Sequence, residues 1–321
     1  MTAATVTVAG EALVDVVHGD AGHDVPDHGG TAREVPGGSP ANVALGLARL
    51  GCDVDFATRL GDDERGHRVA DHLRASGVRL TPGSLGAGRT SSATVRLGAD
   101  GQPRYVFDIV WDLPEVVGTP AWLHVGSIAA FLEPGAGRVV DAARRTAAAG
   151  GSVSFDPNIR PALLGPRVEA VARVEELTAL AAVVKLSDED AAWLWPDLGD
   201  TDAVLDRILA LGAGFAVVTA GAAGSVLATA THRVHVPAAS TSVVDTVGAG
   251  DTYSAALIWQ LARSPHAAAD AHPHVGARLG DLDDAALTEL GRTCSRAAAI
   301  TVGRRGADLP TADDLTTAPT A

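Results

Sequence analysis

The chain has 321 residues, of which 46% are hydrophobic, and this is enough for one large α/β domain with an appendage or for two domains. Its 25 basic and 39 acidic residues give a formal net charge of −14. That charge argues against nucleic acid and anionic membranes as main partners, because both bind basic surfaces. An anionic ligand would therefore be held by local hydrogen-bond donors and by Mg²⁺.

The cysteine content and the first residues bear on the compartment. Cys52 and Cys294 form no disulfide framework and indicate a reducing environment. The N-terminal residues lack the basic segment of a signal peptide, and no apolar run reaches the length of a membrane span. We therefore expect a cytoplasmic protein.

The first predicted strand, residues 6–9, is followed by an extended segment over 13–17 that contains Asp15. A charged residue inside an apolar run usually lies at an edge or on the surface. At a strand exit in an open α/β sheet it would instead contact a ligand, because ligands bind at that edge.

A helix is predicted from Ser39 to the residue before Gly51. Ser39 is a suitable N-cap, a proline follows at the first helical position, and Gly51 would end the helix. Gly37 and Gly38 would let a ligand approach the backbone closely, and Asn42 in the first turn points back toward them. The G-x-G-x-x-G spacing of a dinucleotide-binding turn is not met.

A β-hairpin interrupts this order. Apolar and polar residues alternate over 93–97 and again over 105–109, with a glycine-containing turn between them. The hairpin and the earlier extended segments would form a small β-sheet lid over about residues 12–36 and 89–112. Its apolar face would cover a sugar or a second subunit, so we expect a homodimer through the lid.

Strands and helices alternate through the rest of the chain, which predicts a parallel sheet built from βα units. Strands are predicted at 53–58, 122–126, 152–155, 182–186, 215–219, 225–228 and 233–236, and helices at 64–75, 135–149, 167–180, 202–211 and 285–302. The tail from Ala312 is polar and is expected to be loose.

Polar residues follow four of these strands at the point where each strand ends. They are Asp156, Asn158 and Arg160 after the strand at 152–155, Ser187 and Asp190 after 182–186, Thr219 and Gly221 after 215–219, and Asp245 to Asp251 after the final strand pair. Because the exits of parallel strands share one edge, these clusters should converge in one cleft.

The last cluster contains a turn of small residues, Gly248, Ala249 and Gly250, directly before a predicted helix and beside Asp251. The N–H groups of such a turn can face one point, and the helix N-terminus adds positive potential, so the turn would bind an anion. An Asp near a helix start is often only a cap. Here it would accept a proton from a hydroxyl during phosphoryl transfer, and no Walker A sequence offers another phosphate cradle.

The sequence also contains a single lysine and a group of histidines in a predicted loop. Lys185 is the only lysine of the chain, which makes a lysine-specific role worth testing. His266, His272 and His274 lie in a predicted loop over 263–283 without partner cysteines, so we expect no metal site there.

Together these residues resemble the ribokinase-like (PfkB) carbohydrate kinase family. The motifs Gly37–Asn42 and Asp245–Asp251 carry the resemblance, and the order of the strands between them also matches. It covers nearly the whole chain and implies a single kinase domain over residues 1–321, with a mostly parallel central sheet flanked by helices on both faces. It also implies phosphoryl transfer from ATP–Mg²⁺ to a sugar hydroxyl.

The resemblance further implies a role for individual residues. Asp251 would be the general base, and the amides of Gly248, Ala249 and Gly250 would form the anion hole. The sugar would contact Asp15, Gly37, Gly38 and Asn42, with Arg160 near the phosphates. The nucleotide and Mg²⁺ would lie against Lys185, Ser187, Asp190, Thr219, Gly221, Gly224, Gly248, Gly250 and Ser295. Asp245 and the Val247 carbonyl would bind a potassium-like ion.

Several substrates fit this resemblance. The segments 156–161 and 185–189 are most similar to those of fructokinases, which favours fructose. Ketodeoxygluconate kinases share the first segment but need a cation for the carboxylate of their sugar acid, and the predicted lid offers only Arg89, Arg96 and Arg104. A ribokinase or nucleoside kinase is a further alternative. A non-catalytic sugar-binding regulator is disfavoured, because Asp251 and the glycines are all present.

Overall fold

The computed structural model describes residues 5–17, 32–97, 103–263, 279 and 281–316. The strands are β1 (Thr5–Ala9), β2 (Leu13–Val17), β3 (Arg33–Gly37), β4 (Asp53–Ala57), β5 (Leu60–Gly61), β6 (Arg79–Leu80), β7 (Leu85–Gly86), β8 (Ser92–Leu97), β9 (Pro103–Asp108), β10 (Trp122–Gly126), β11 (Ser152–Asp156), β12 (Val183–Ser187), β13 (Phe215–Thr219), β14 (Ser225–Ala228) and β15 (Arg233–Val236). The helices of these ranges are α1 (Ser39–Arg49), α2 (Glu64–Ala75), α3 (Gly135–Ala148), α4 (Arg167–Thr178), α5 (Asp188–Leu194), α6 (Thr201–Ala210), α7 (Ala249–Arg263), α8 (Asp284–Val302) and α9 (Ala312–Thr316).

Nine strands form the main sheet in the order β15-β14-β13-β12-β11-β10-β1-β4-β6. Neighbours pair in parallel from β13 to β6, whereas β14 and β15 add an antiparallel edge. Every residue of β10 and β11 is buried, as expected for parallel strands that are covered on both faces. The predicted parallel α/β sheet is therefore present.

Two apolar cores lie on opposite faces of this sheet, because successive side chains of a strand point in opposite directions. On β13, Phe215 and Val217 join one core, and Ala216 and Val218 join the other. Helices α1, α2, α7 and α8 contribute to the first core, and α3, α4, α5 and α6 contribute to the second.

A smaller four-stranded sheet has the order β3-β2-β8-β9. It contains the predicted hairpin and both early extended segments, with β2 parallel to β8 and the outer pairs antiparallel. Asp15 of β2 lies between Val35 of β3 and Ala93 of β8. This sheet therefore holds Asp15 close to the start of α1.

Helices α1 and α7 pack closely, although they lie far apart in the sequence. A Cβ on Gly46 of α1 would lie 2.8 Å from the Cβ of Ala255 on α7 and 2.5 Å from a methyl carbon of Leu309. The absence of a side chain at Gly46 thus permits the close approach. It brings the N-termini of both helices together at the carboxyl edge of the sheet.

The structure corrects two expectations about helix ends. Helix α1 begins at Ser39, and its N-cap is Gly38, whose φ of 102° suits glycine, so Ser39 is not the cap. The tail is not loose throughout, because α9 is helical and its Leu315 is buried. The predicted loop histidines lie outside the described residues. No helix of the described ranges is both long and apolar enough to cross a membrane.

Candidate active site

Asp251 lies in the first turn of α7 and is only 8% exposed. The hydroxyl of Ser39 donates to its Oδ1 at 2.6 Å, and Nδ2 of Asn42 donates to its Oδ2 at 2.7 Å. Burial raises the pKa of Asp251, and these two hydrogen bonds oppose that rise because they favour the charged form. The carboxylate is thereby fixed in one orientation by two side chains of α1.

The turn before Asp251 leaves main-chain donors available. Gly248 has a φ of 79°, which reverses the chain into α7. The Ala249 amide donates to the Thr246 carbonyl at 3.3 Å, whereas the amides of Gly250 and Asp251 have no protein acceptor among the described residues. Free N–H groups at a helix N-terminus are suited to bind an anion. The anion hole predicted over Gly248, Ala249 and Gly250 stays a prediction, and the Asp251 amide is a further donor beside it.

Lys185 is buried directly beneath this turn. Its Nζ donates to Asp156 Oδ2 at 2.9 Å and to the Gly250 carbonyl at 3.4 Å. The hydroxyl of Ser254 donates to the same Asp156 oxygen at 2.9 Å. The ends of β11 and β12 and the start of α7 therefore meet, and the side chain of Lys185 is only 8% exposed there.

Asp15 faces the same cleft. Burial raises its pKa to about 6, with nearby Arg160 opposing the rise and the charge of Asp251 adding to it. A Cβ on Gly37 would lie 2.1 Å from Asp15 Oδ2, so only glycine leaves room for this carboxylate. Gly38 is equally restricted, since a Cβ there would lie 2.8 Å from the Glu11 carbonyl oxygen.

Arg160 is exposed at the cleft and is held by its own loop. Its Nη1 donates to Asn158 Oδ1 at 2.7 Å and to the Ile159 carbonyl at 3.0 Å. Asn158 adopts a φ of 38°, which is uncommon for a residue other than glycine. The loop after β11 therefore presents one guanidinium close to Asp15.

Asp190 ties the exits of two strands together. Its Oδ1 accepts the Ile159 amide at 2.7 Å, its Oδ2 accepts the Ser187 amide at 3.1 Å, and its own amide donates to Ser187 Oγ at 3.0 Å. Among the described residues, no group of three or more His, Cys, Asp or Glu side chains is placed to hold a metal ion. Asp190, where the sequence predicts a Mg²⁺, has both carboxylate oxygens on main-chain amides.

Asp245 joins the loop before α7 to the loop after α8. Its Oδ1 accepts the Val247 amide at 3.0 Å, and its Oδ2 accepts the Gly306 amide at 2.9 Å. The amide of Asp245 itself donates to the Val302 carbonyl at 3.1 Å. This junction is where the sequence predicts a potassium-like ion.

The remaining predicted nucleotide residues lie around the exits of β13 and β15. Thr219 donates to the Leu186 carbonyl at 3.4 Å, and Gly221 is exposed with a φ of 48°. Gly224 must be glycine, since a Cβ would lie 2.2 Å from the Val236 carbonyl oxygen. The hydroxyl of Ser295 accepts the Ala239 amide at 2.7 Å, so it fixes the segment after β15.

An apolar surface adjoins the free amides. Val243, Val244 and Val247, in the loop before α7, are 70%, 54% and 51% exposed. Exposed apolar side chains that cluster beside a polar cleft are characteristic of a ligand-binding surface. The loop thus offers an apolar wall next to an anion-binding turn.

Two residues of the site escaped the sequence prediction. Ser39 was expected to cap α1, but its hydroxyl binds Asp251. Glu11 is buried at the end of β1, where its Oε2 accepts the Ala129 amide at 3.2 Å and burial raises its pKa to about 7. The signal for Glu11 was its place directly after an apolar strand, the same signal that identified Asp156.

Free amides at a helix N-terminus and a buried carboxylate at the carboxyl edge of an open α/β sheet have the chemistry to bind a phosphate and to deprotonate a hydroxyl. The chain belongs to the pfkB family of carbohydrate kinases, whose family model matches residues 3–314. The family and the ribokinase-like fold class expected from the motifs are both confirmed.

Individual relatives agree with this assignment. The chain is 35% identical over 322 residues to a fructokinase from Klebsiella pneumoniae, covering 96% of this chain and 97% of that protein. A structure of fructokinase with bound ATP from Xylella fastidiosa is 27% identical, with a TM-score of 0.80 and coverage of 98% and 97%. A double mutant of fructokinase from Vibrio cholerae O395, bound to fructose, ADP and potassium ion, is 27% identical with a TM-score of 0.78 and coverage of 97% of both chains.

Proposed function

We propose that this carbohydrate kinase is an ATP-dependent fructokinase, which transfers the γ-phosphoryl group of ATP to the 6-hydroxyl of fructose. The observation that carries the proposal is the fixed carboxylate of Asp251 beside the free amides of Gly250 and Asp251. The name of the Klebsiella pneumoniae relative and the ligands of the Vibrio cholerae structure support fructose as the acceptor.

The reaction proceeds in line at the γ-phosphorus. The fructose 6-oxygen forms a bond to this phosphorus, the bond to the β–γ bridging oxygen breaks, and ADP leaves with that electron pair. Asp251 accepts the proton of the hydroxyl, a role that commonly contributes about 10²- to 10⁴-fold. The free amides stabilise the charge on the transferring group, with about 3 kcal/mol for a well-placed donor.

The sugar would lie between the small sheet and the start of α1. Asp15 and Asn42 would bind its hydroxyls, while Gly37 and Gly38 let it approach the backbone. Arg160 would contact the phosphates from the edge of the cleft. Arg89, in the segment before β8, donates through Nε to Asp108 at 3.0 Å, so its charge is already paired. That pairing favours a neutral sugar over a sugar acid.

The nucleotide would lie on the other side of Asp251. Its phosphates would meet the turn at Gly248 and Gly250, and its base would lie against the exposed valines and the Gly221–Gly224 segment. Ser187, Thr219 and Ser295 shape this surface through their backbone hydrogen bonds. Mg²⁺, when bound with the nucleotide near Asp190, would neutralise charge on the phosphates. A monovalent cation would lie at Asp245 and the Val247 carbonyl.

We further propose that residues 1–321 form one kinase domain and that the small sheet acts as its lid. Val106 on the outer strand of that sheet is 51% exposed. A homodimer through this sheet would cover it. Sedimentation of the protein and of Val106→Glu tests the assembly, since the charged variant should be monomeric at concentrations where the parent chain dimerises.

The base assignment is tested with Asp251→Asn. This variant keeps the shape of the carboxylate and both hydrogen-bonding neighbours, so it should bind fructose in calorimetry while ADP release is abolished. Turnover near that of the parent protein would contradict the assignment. Asp141→Asn on α3 is the matched control, and it should retain turnover because this side chain is 62% exposed and pairs only with Arg144 of its own helix among the described residues.

The substrate is tested by ADP release across a panel of ketoses, 2-keto-3-deoxygluconate, ribose and nucleosides, with and without K⁺. The largest kcat/KM should belong to fructose. A larger value for the sugar acid or for a nucleoside would assign the chain to one of those alternatives.

A further inference from the structure

The ion pair between Asp156 and Lys185 has no assigned role in the phosphoryl transfer described above. Lys185 is the only lysine of the chain and points into the protein, and the pair is buried at both ends, with side chains 2% and 8% exposed. The charge of Lys185 is directed at Asp156, and its predicted contact with the nucleotide stays a prediction.

Each partner of this pair holds a different turn of α7. Lys185 Nζ donates to the Gly250 carbonyl at 3.4 Å, one residue before the proposed base. Asp156 Oδ2 accepts from Ser254 at 2.9 Å, three residues after the base. The two contacts flank Asp251 along the helix. The ends of β11 and β12 thus fix the part of α7 that carries the base.

The pair is poorly explained as a stabilising contact alone. Oδ1 of Asp156 is fully buried and has no hydrogen-bond partner among the described residues. An unsatisfied buried carboxylate oxygen is costly, and well-packed apolar residues often replace buried ion pairs without loss of stability. A role in the reaction would account for keeping these two charges beneath the cleft.

We propose that Asp156 and Lys185 are positioning residues for the phosphoryl transfer, which fix the first two turns of α7 and set the balance of charge around Asp251. This inference rests on the proposed role of Asp251 as the base. The two charges act on Asp251 in opposite directions: the carboxylate of Asp156 raises its pKa and the ammonium of Lys185 lowers it.

Other charged groups face the same region. Burial and the charge of Asp251 raise the pKa of Asp15 on the small sheet, and Arg160 after β11 lowers it. Asp190 on α5 interacts with Lys185 and helps to keep it protonated. Asp190 and the buried His124 of β10 also respond to the pair, because the carboxylate of Asp156 raises their pKa values and the ammonium of Lys185 lowers them. The test is therefore the opposite direction of the two shifts and not either variant alone.

The test is the pH dependence of kcat/KM, measured by ADP release for Lys185→Met and Asp156→Asn. The acid limb of this profile is the pH range in which kcat/KM falls as the pH is lowered. Removing the lysine charge should move the acid limb to higher pH by about one pH unit. Removing the aspartate charge should move it to lower pH by about one pH unit. The double variant should lie near the parent protein. A purely structural role would lower activity without moving the limb in opposite directions.

Lys185→Arg keeps the positive charge and serves as the matched control. The acid limb of its kcat/KM profile should therefore stay at the pH of the parent protein even if kcat falls. Asp156→Asn preserves the shape of the side chain, so its downward shift tests the proposal even where Lys185→Met does not fold. A rise in the KM for ATP alone, with no shift of the limb, would overturn the proposal and assign Lys185 to the nucleotide. If Asp251→Asn stayed active, the proposed function would fail instead, and the two failures are thereby distinguished.

Discussion

The hydrogen bond from Ser39 to Asp251 permits a quantitative test of the proposed base. In Ser39→Ala the carboxylate loses a donor at 2.6 Å but keeps Asn42 at 2.7 Å. A hydrogen bond to a charged group contributes about 1.5–3 kcal/mol, and about 1.4 kcal/mol corresponds to one pKa unit. The bond favours the charged form, so its loss should raise the pKa of Asp251 by about 1 to 2 units.

The assay is the pH profile of kcat/KM for fructose, whose acid limb reports the essential base of the free enzyme. The limb of Ser39→Ala should lie about 1 to 2 units above that of the parent protein. Ser225→Ala is the matched control, because Ser225 is equally a hydrogen-bonded serine but pairs with the hydroxyl of Tyr253 at 2.9 Å. An unmoved limb in Ser39→Ala would refute the assignment of this limb to Asp251.

Three further variants test the rest of the cleft. Gly37→Ala should raise the KM for fructose at least tenfold, because its Cβ would lie 2.1 Å from Asp15 Oδ2, whereas Gly86→Ala, with open space around its Cβ, should be unchanged. Asp15→Asn should weaken fructose binding yet raise Tm at neutral pH, since the pKa of Asp15 is raised to about 6 and folding therefore opposes its ionisation; an unchanged or lower Tm would contradict this. Glu11→Gln should remove a pH dependence of stability: the pKa of Glu11 is raised from 4.5 to about 7, so its contribution is present below pH 4.5 and lost as the pH rises through 7. The free energy of unfolding in urea should be measured at pH 4.5 and at pH 7 for both proteins. Between these pH values it should fall by about 3 kcal/mol less in Glu11→Gln than in the parent protein. An equal fall in both proteins would contradict the raised pKa of Glu11.

The sequence was informative where local rules decide the structure. Helix α1 and the turn before α7 are marked by glycine and proline, whose backbone preferences are strong. Polar residues at successive strand exits predicted one cleft, and the contact of Lys185 with both Asp156 and Gly250 places three of those exits together. Parallel pairing makes this inference reliable, because all exits lie on one edge.

The sequence was less informative where one side chain has two available partners. Ser39 stands where serine normally caps a helix, so the local rule suggested a cap. The observed partner is Asp251, 212 residues away, and only the packing of α1 against α7 brings it within reach. Asp190 and Ser295 show a similar ambiguity, since each side chain accepts a main-chain amide while the ligand contact predicted for it stays a prediction.

The catalytic geometry therefore depends on the core more than on the loops. The base lies on α7 and both of its donors lie on α1, and those helices approach closely because Gly46 has no side chain against Ala255. A small displacement between the helices would lengthen both hydrogen bonds at once. Since a buried carboxylate without donors favours protonation, such a displacement would neutralise the base as well as misplace it. Packing and proton affinity are thus set by the same contact between two helices.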